Sequence, residues 1–165
     1  GELHLSLEDI DVGDVVSDTL SSAEPIARAS GVHLTGSAEA GLFVRADGRE
    51  LARAVTNLVV NAMRHTPVDG SVSIDARRVD SDVVISVMDQ CGGIAPADLD
   101  RMFEPGWSGS AARTPGEGAG LGLAVVSGVM AALADTVTVH NTEAGCAFEL
   151  TLSRGDTVID RGIGP

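Results

Sequence analysis

Lysine is absent: every basic residue is Arg, and the 11 of them stand against 24 Asp and Glu. The formal net charge of −13 excludes a general nucleic-acid binder, which needs a basic surface to displace counterions from phosphate. It reads as a solvated acidic surface. Aromatic residues are scarce too, at 2%, so aliphatic side chains and Ala must fill the core. Cysteine occurs only as Cys91 and Cys146, without metal-ligand spacing. Two cysteines make no disulfide framework, so a reducing compartment is expected. Long apolar runs are also missing. The longest, "LGLAVVSGVMAALA" at 121–134, is too short to span a bilayer and is broken by Gly. No signal peptide is read either, and no direct membrane contact is expected. The chain begins with Gly rather than Met and is read as a piece of something larger.

What is present is enough for one core: 165 residues, 44% of them hydrophobic. We read one domain over 1–152 and a tail over 153–165. "LHLSL" at 3–7 alternates as an edge strand would. Residues 9–30 read as mostly helix, with Pro25 a kink. "VHLTGS" and "LFVRA" read as a short β-pair across 32–46. Asp47 sits where an N-cap would, before a helix to about His65 that Pro67 and Gly70 end. "SVSIDARRV" and "DVVISVMD" make a hairpin. Residues 95–117 show little periodicity beyond a helical turn at 97–103. They are too long for an ordinary connection, so a mobile lid is expected there. A helix follows from about Gly120 to Ala134, then "TVTVHN" and "CAFELTL" as a second hairpin around "TEAG". The fold class is α+β: helices on one face of a mixed, mainly antiparallel sheet.

On a helical wheel of 47–65, Leu51, Val55, Leu58, Val59, Ala62 and Met63 form one arc. Glu50, Arg53, Asn57, Asn61 and Arg64 form the other. The second arc is either a solvated face or a functional one. Asn is a poor helix former, yet two stand at i and i+4 in mid-helix. Their carbonyl oxygens suit a hard cation such as Mg²⁺, and Arg64 and His65 could reach phosphate oxygens. From this helix alone the two readings stand level. "GEGAGLGL" puts Gly118, Gly120 and Gly122 at a helix start, where backbone N–H groups bind anions. It is neither a P-loop nor a Rossmann fingerprint.

Taken in order, "NLVVNAMRHTP", "DQCGGI", "MFEP" and "GAGLGL" resemble the N, G1, F and G2 boxes of the sensor histidine kinase ATP-binding domain, a member of the Bergerat-fold group. The resemblance covers roughly residues 3–152. It implies the Bergerat α/β sandwich, with ATP and Mg²⁺ as cofactors. Asn61 would be the Mg²⁺ ligand, Asn57 would flank it, and these two with Arg64 would form the catalytic set. Arg64 would contact phosphate, and His65 would lie near the nucleotide. Asp89 would accept a hydrogen bond from the adenine exocyclic amine; guanine's O6 would be repelled there. Gly93 would let base and chain approach, Ile94 would line the base pocket, and Phe103 would lie at the root of the lid. Gly118, Gly120, Leu121, Gly122 and Leu123 would wrap the phosphates.

Three departures stand out. Cys91 replaces the first Gly of the Asp-x-Gly-x-Gly box, which a negative φ would tolerate. "GWSG" replaces an Arg often found after the F box, leaving Arg113 as the substitute for the γ-phosphate. Cys146 replaces a Thr often near adenine. Both thiols would then border one pocket. Each is read as a small apolar filler with nothing nearby to make it nucleophilic. A disulfide across adenine would need Cα atoms within about 7 Å.

Related ATPases carry a Glu at the position of Asn57 to activate water. An amide cannot take that proton, so transfer to another nucleophile is favoured over hydrolysis. In this family the acceptor is a histidine on a helical dimerisation domain. His4, His33, His65 and His140 lack its His-Glu-x-x-x-Pro context, so the acceptor belongs to a longer chain or a separate protein. A response regulator would follow it, and this domain is expected in the cytoplasm, on its own or as the cytoplasmic part of a membrane-associated kinase. Two alternatives are an anti-sigma-type serine kinase of the same fold and a nucleotide-binding regulatory module without transfer activity.

Overall fold

The computed structural model describes residues 4–99, 101–104 and 119–153, with the backbone alone for 119–122. Seven strands and four helices appear among them, in the order β1 (Glu8–Asp11), α1 (Val12–Ser30), β2 (His33–Ala38), β3 (Phe43–Ala46), α2 (Gly48–His65), β4 (Ser71–Val79), β5 (Asp82–Asp89), α3 (Pro96–Leu99), α4 (Ala119–Ala132), β6 (Thr136–Asn141) and β7 (Cys146–Ser153).

The local chemistry accounts for the helix ends. Asp11 caps α1 by accepting from the Gly13 N–H, and Gly31, at φ 70°, closes it through N–H bonds to the carbonyls of Ala27 and Arg28. Pro25 lies inside α1. Asp47 caps α2 by accepting from the N–H groups of Arg49 and Glu50. Its second oxygen accepts the Ser6 N–H at 2.8 Å. The N–H of Ser6 leads the causes, ahead of that of Glu50, that hold the Asp47 carboxyl below the usual range.

The main sheet has the order β2-β4-β5-β7-β6, and β1 and β3 form a small sheet of their own. In the main sheet β2 pairs with β4 in parallel, whereas β4–β5, β5–β7 and β6–β7 are antiparallel. The sheet is therefore mixed and mainly antiparallel, as expected. Two pairings differ from the sequence reading. The first strand lies at Glu8–Asp11 rather than 3–7, and β2 and β3 do not pair with each other. Alternation identifies a strand but not its partner. Burial decides it here: Val44 and Ala46 of β3 face the core opposite Ile10 and Glu8, while β2 lies along β4 as an exposed edge.

Helices α1, α2 and α4 cover one face of the main sheet, with α2 packed against both of the others. Val55, Leu58 and Val59 of α2, Val126 and Met130 of α4, and Ile74, Ile85, Phe148 and Leu150 of the sheet are all buried in this core. Phe148 is the largest fully buried side chain among the described residues, consistent with a core built mainly from aliphatic side chains. The four-residue α3 falls at Pro96–Leu99 rather than 97–103, and α4 ends at Ala132, short of Ala134. Most of the expected lid, 105–117, lies outside the described residues, as does nearly all of the expected tail.

Candidate functional site

The strand β5 sets up the first half of the site. Along it Val83, Ile85 and Val87 point into the core. A two-residue period then puts Asp89 on that same face, and it is only 3% exposed. A carboxylate at a core position is costly unless satisfied. Its hydrogen-bond donors are backbone groups: Cys91 N–H reaches Oδ1 at 2.9 Å, and the Cys146 N–H also donates to it. Burial pushes the Asp89 carboxyl up to about 6 against the pull of these donors.

After Asp89 the chain turns through Gly92 and Gly93, at φ 87° and 101°. Side chains avoid this region, so these two positions require glycine. Among the described non-glycine residues only Asp69, Asp80 and Ala134 have positive φ, so Cys91 takes the place of a glycine without left-handed strain. Ile94, half-buried, is clamped by Asn141, whose Oδ1 accepts the Ile94 N–H at 2.8 Å while its Nδ2 donates to the Ile94 carbonyl at 2.9 Å.

The β6–β7 turn lies directly beneath this segment. A Cβ at Gly145 would collide with the backbone of Asp89, Gln90 and Cys91. Cys146 opens β7 opposite Asp89 in register and is fully buried. Here the reading of two separate thiols is overturned: Cys91 and Cys146 form a disulfide, with Cα atoms 6.1 Å apart. Strand register explains it. The turn after Asp89 brings Cys91 back over the residue paired with Asp89, which is Cys146. The two are 55 residues apart in sequence; the resemblance placed both at one pocket, and the Cα criterion for a bridge is met.

The second half of the site is the end of α2. Asn57 is half-buried and Asn61 is buried at 5% exposure. The two-arc reading of this helix therefore needs correction. Asn61 follows Leu58 by three positions and stands at the margin of the apolar stripe, covered by its neighbours rather than solvated. Its Oδ1 is buried and has no hydrogen-bond partner among the described residues. Arg64 and His65 are exposed in the last turn, where positive charge complements the helix dipole.

Thr66 joins the two halves. Its hydroxyl donates to the Ala62 carbonyl at 2.8 Å and accepts the Gln90 N–H at 3.3 Å. The turn after Asn61 is thus tied to the residue after Asp89. Thr66, Asn141 and Gly145 were not singled out from the sequence. The glycine of "TEAG" and the asparagine ending "TVTVHN" were the available signals.

The remaining expected site residues divide. Phe103 is half-buried and meets Phe148 edge-on, with ring centroids 6.3 Å apart. Gly120, Leu121 and Gly122 belong to the first turn of α4, whose N–H groups lack intrahelical partners. The Leu123 side chain is buried in the core, so only its backbone could face a ligand. Arg113 and Gly118 lie outside the described residues.

Residues 46–156 match the family described as histidine kinase-, DNA gyrase B-, and HSP90-like ATPase. The chain belongs to that family. Within it, the likeness is to the catalytic ATP-binding domains of sensor histidine kinases. Sensor-like histidine kinase SenX3 of Mycobacterium tuberculosis (strain ATCC 25618 / H37Rv) is 36% identical over 149 residues, which cover 89% of this chain and 36% of the relative. The chain spans about a third of the length of the curated relatives it matches. Among solved structures, full-length ShkA in complex with AMPPNP aligns with a TM-score of 0.79 and 28% identity, over 94% of this chain and 33% of that one. The mycobacterial sensor histidine kinase MprB aligns with a TM-score of 0.76 and 25% identity, over 90% of this chain and 99% of that one. Among the described residues no helix is long and apolar enough to cross a membrane.

Proposed function

We propose that this chain binds ATP with Mg²⁺ and transfers the γ-phosphate to a histidine on a dimerisation domain, in the same longer chain or in a separate protein, from which a cytoplasmic response regulator takes it. The observation that carries this reading is the orphaned carbonyl of Asn61. A buried acceptor without a partner is destabilising by roughly 1–3 kcal/mol, and a hard cation is the ligand that an amide oxygen suits. The donor set therefore fits Mg²⁺, held by Asn61 with Asn57 beside it. When bound, the ion neutralises charge on the phosphate oxygens.

The other residues take separable parts. Asp89 accepts a hydrogen bond from the adenine amine and disfavours guanine, whose carbonyl would leave the buried carboxylate unpaired. Gly93 and Ile94 shape the base pocket, and Asn141 fixes Ile94 in it. Arg64 offers positive charge, and His65 and the first turn of α4 offer N–H groups, to the phosphates. Asn57 has no basic oxygen with which to deprotonate water, so the γ-phosphate is kept for a protein nucleophile.

The test incubates the chain with γ-labelled ATP, Mg²⁺ and a histidine-bearing dimerisation domain. The expected product is an acid-labile, alkali-stable phosphoprotein. An acid-stable product would assign a serine acceptor instead, and bound ATP without transfer would leave a regulatory module.

A further inference from the structure

Nothing in phosphoryl transfer uses the bridge between Cys91 and Cys146, yet it sits at the residue on which base selection rests. Cys91 and Cys146 each donate a backbone N–H to the Asp89 carboxylate. The sulfur of each and a carboxylate oxygen of Asp89 all lie within 4.8 Å of one another. The bridge also pins the "CGGI" turn to the β6–β7 hairpin. That turn is already held by Asn141 on Ile94, and the Gly93 N–H donates to the Cys91 sulfur at 3.2 Å. With the bridge closed, Asp89 is 3% exposed, and both sulfurs crowd its carboxylate.

We infer that Cys91 and Cys146 form a redox switch on nucleotide binding: the closed disulfide covers Asp89 and excludes adenine, and reduction to two thiols opens the pocket. This rests on the reading of Asp89 as the adenine contact. Three features favour a switch over a permanent staple. A bridge in a reducing compartment is usually transient and redox-sensing. Cys91 is half-buried and within reach of a small oxidant, while Cys146 is fully buried. The Cα separation of 6.1 Å suits both a bridge and two thiols in contact.

The oxidant is a low-molecular-weight disulfide, RSSR. The Cys91 thiolate attacks one of its sulfurs, the S–S bond breaks, and one RS⁻ leaves. The Cys146 thiolate then attacks the Cys91 sulfur of the mixed disulfide and expels the second RS⁻. The two protons given up by the cysteines end on the two RSH products. The protein is oxidised by two electrons and RSSR is reduced by two. Excess RSH reverses both steps.

The experiment measures ADP affinity by calorimetry on the whole chain, first in tris(2-carboxyethyl)phosphine and then after oxidised glutathione. The bridge is verified by peptide mapping. EDTA is present throughout, so that a metal on the Asp89–Cys91–Cys146 trio cannot mimic the effect. ADP should bind the oxidised protein at least about tenfold more weakly, the fraction with an open site setting the apparent affinity. Cys91→Ser should lose the difference between the two conditions. Cys146→Ala, which keeps the buried position apolar, should do the same. Equal affinity for reduced protein and for protein with the bridge confirmed would overturn the switch while leaving the nucleotide site intact. No ADP binding to reduced wild type would instead overturn the nucleotide site, and the switch with it.

Discussion

Strands β5 and β7 carry two charged clusters three positions apart, on opposite faces of one sheet. On the outer face Ser86 stands opposite Glu149, and Arg77 of β4 reaches both. Its guanidinium donates to Glu149 Oε2 at 3.0 Å, to Ser86 Oγ at 2.8 Å and to Asp75 Oδ2 at 3.2 Å. On the inner face Asp89 stands opposite Cys146, with backbone N–H groups as its donors and burial raising its pKa. The outer carboxylate has a cation within the fold and is held ionised by it. The inner one has no such partner among the described residues and is burdened by burial. The first arrangement is complete without a ligand. The second, like the Asn61 carbonyl, makes physical sense when something from outside supplies the missing donor or cation.

The largest expected effect separates the two kinds of polar group most sharply. Asn61→Ala deletes an oxygen that bonds to nothing else among the described residues, so the fold should lose little. Mg-ATP-dependent transfer should fall by at least about 100-fold, because the hard ligand is gone. ADP binding without metal should survive much better. Transfer at the wild-type rate would remove Asn61 from the metal site.

Asp89→Asn should show opposite signs in function and stability. ATP affinity in the reduced protein should drop by about 1.5–3 kcal/mol, the range for a hydrogen bond to a charged group, with discrimination against GTP reduced. Stability at neutral pH should rise, because a buried charge is removed. A carboxyl raised to about 6 in the fold stabilises below its unfolded pKa. That contribution is lost as pH climbs from about 4 to about 6 and amounts to roughly 2–3 kcal/mol. Thermal melts across this range should therefore flatten in the variant. An unchanged pH profile would show that Asp89 is solvated rather than buried.

The sequence carried these two faces unequally. In "DVVISVMD" a two-residue count through Val83, Ile85 and Val87 puts Asp89 in the core, and the four ordered boxes pointed to nucleotide chemistry. The helix start at Asp47 and the two main hairpins were legible because caps and alternation are local signals. Pairings across the chain were not. β2 beside β4 and β1 beside β3 depend on which face is buried, which local alternation does not encode. The burial of Asn61 was missed because its place on the wheel is marginal, and packing settled it. The resemblance placed both cysteines at one pocket, but the bridge itself follows from strand register, which spacing does not encode.

The smallest expected effect tests whether the outer cluster serves the fold alone. Arg77→Met keeps the aliphatic stem and removes the guanidinium. The pair is partly exposed, with side-chain exposures of 38% for Arg77 and 25% for Glu149, so the loss of stability should be only about 1 kcal/mol. ADP affinity should not change. The pH dependence gives the finer reading. Burial alone would raise the Glu149 carboxyl, but hydrogen bonds from Arg77 and Ser86 and the guanidinium charge bring it below the usual range. A depressed carboxyl stabilises the fold above its unfolded pKa, and that contribution disappears as pH falls through the lowered folded value. The difference between wild type and Arg77→Met should therefore be present at pH 7 and close in acid. Asp89 predicts the reverse slope from the same pair of strands. A difference that persisted in acid would mean that Arg77 acts through packing of its stem, not through its charge on Glu149.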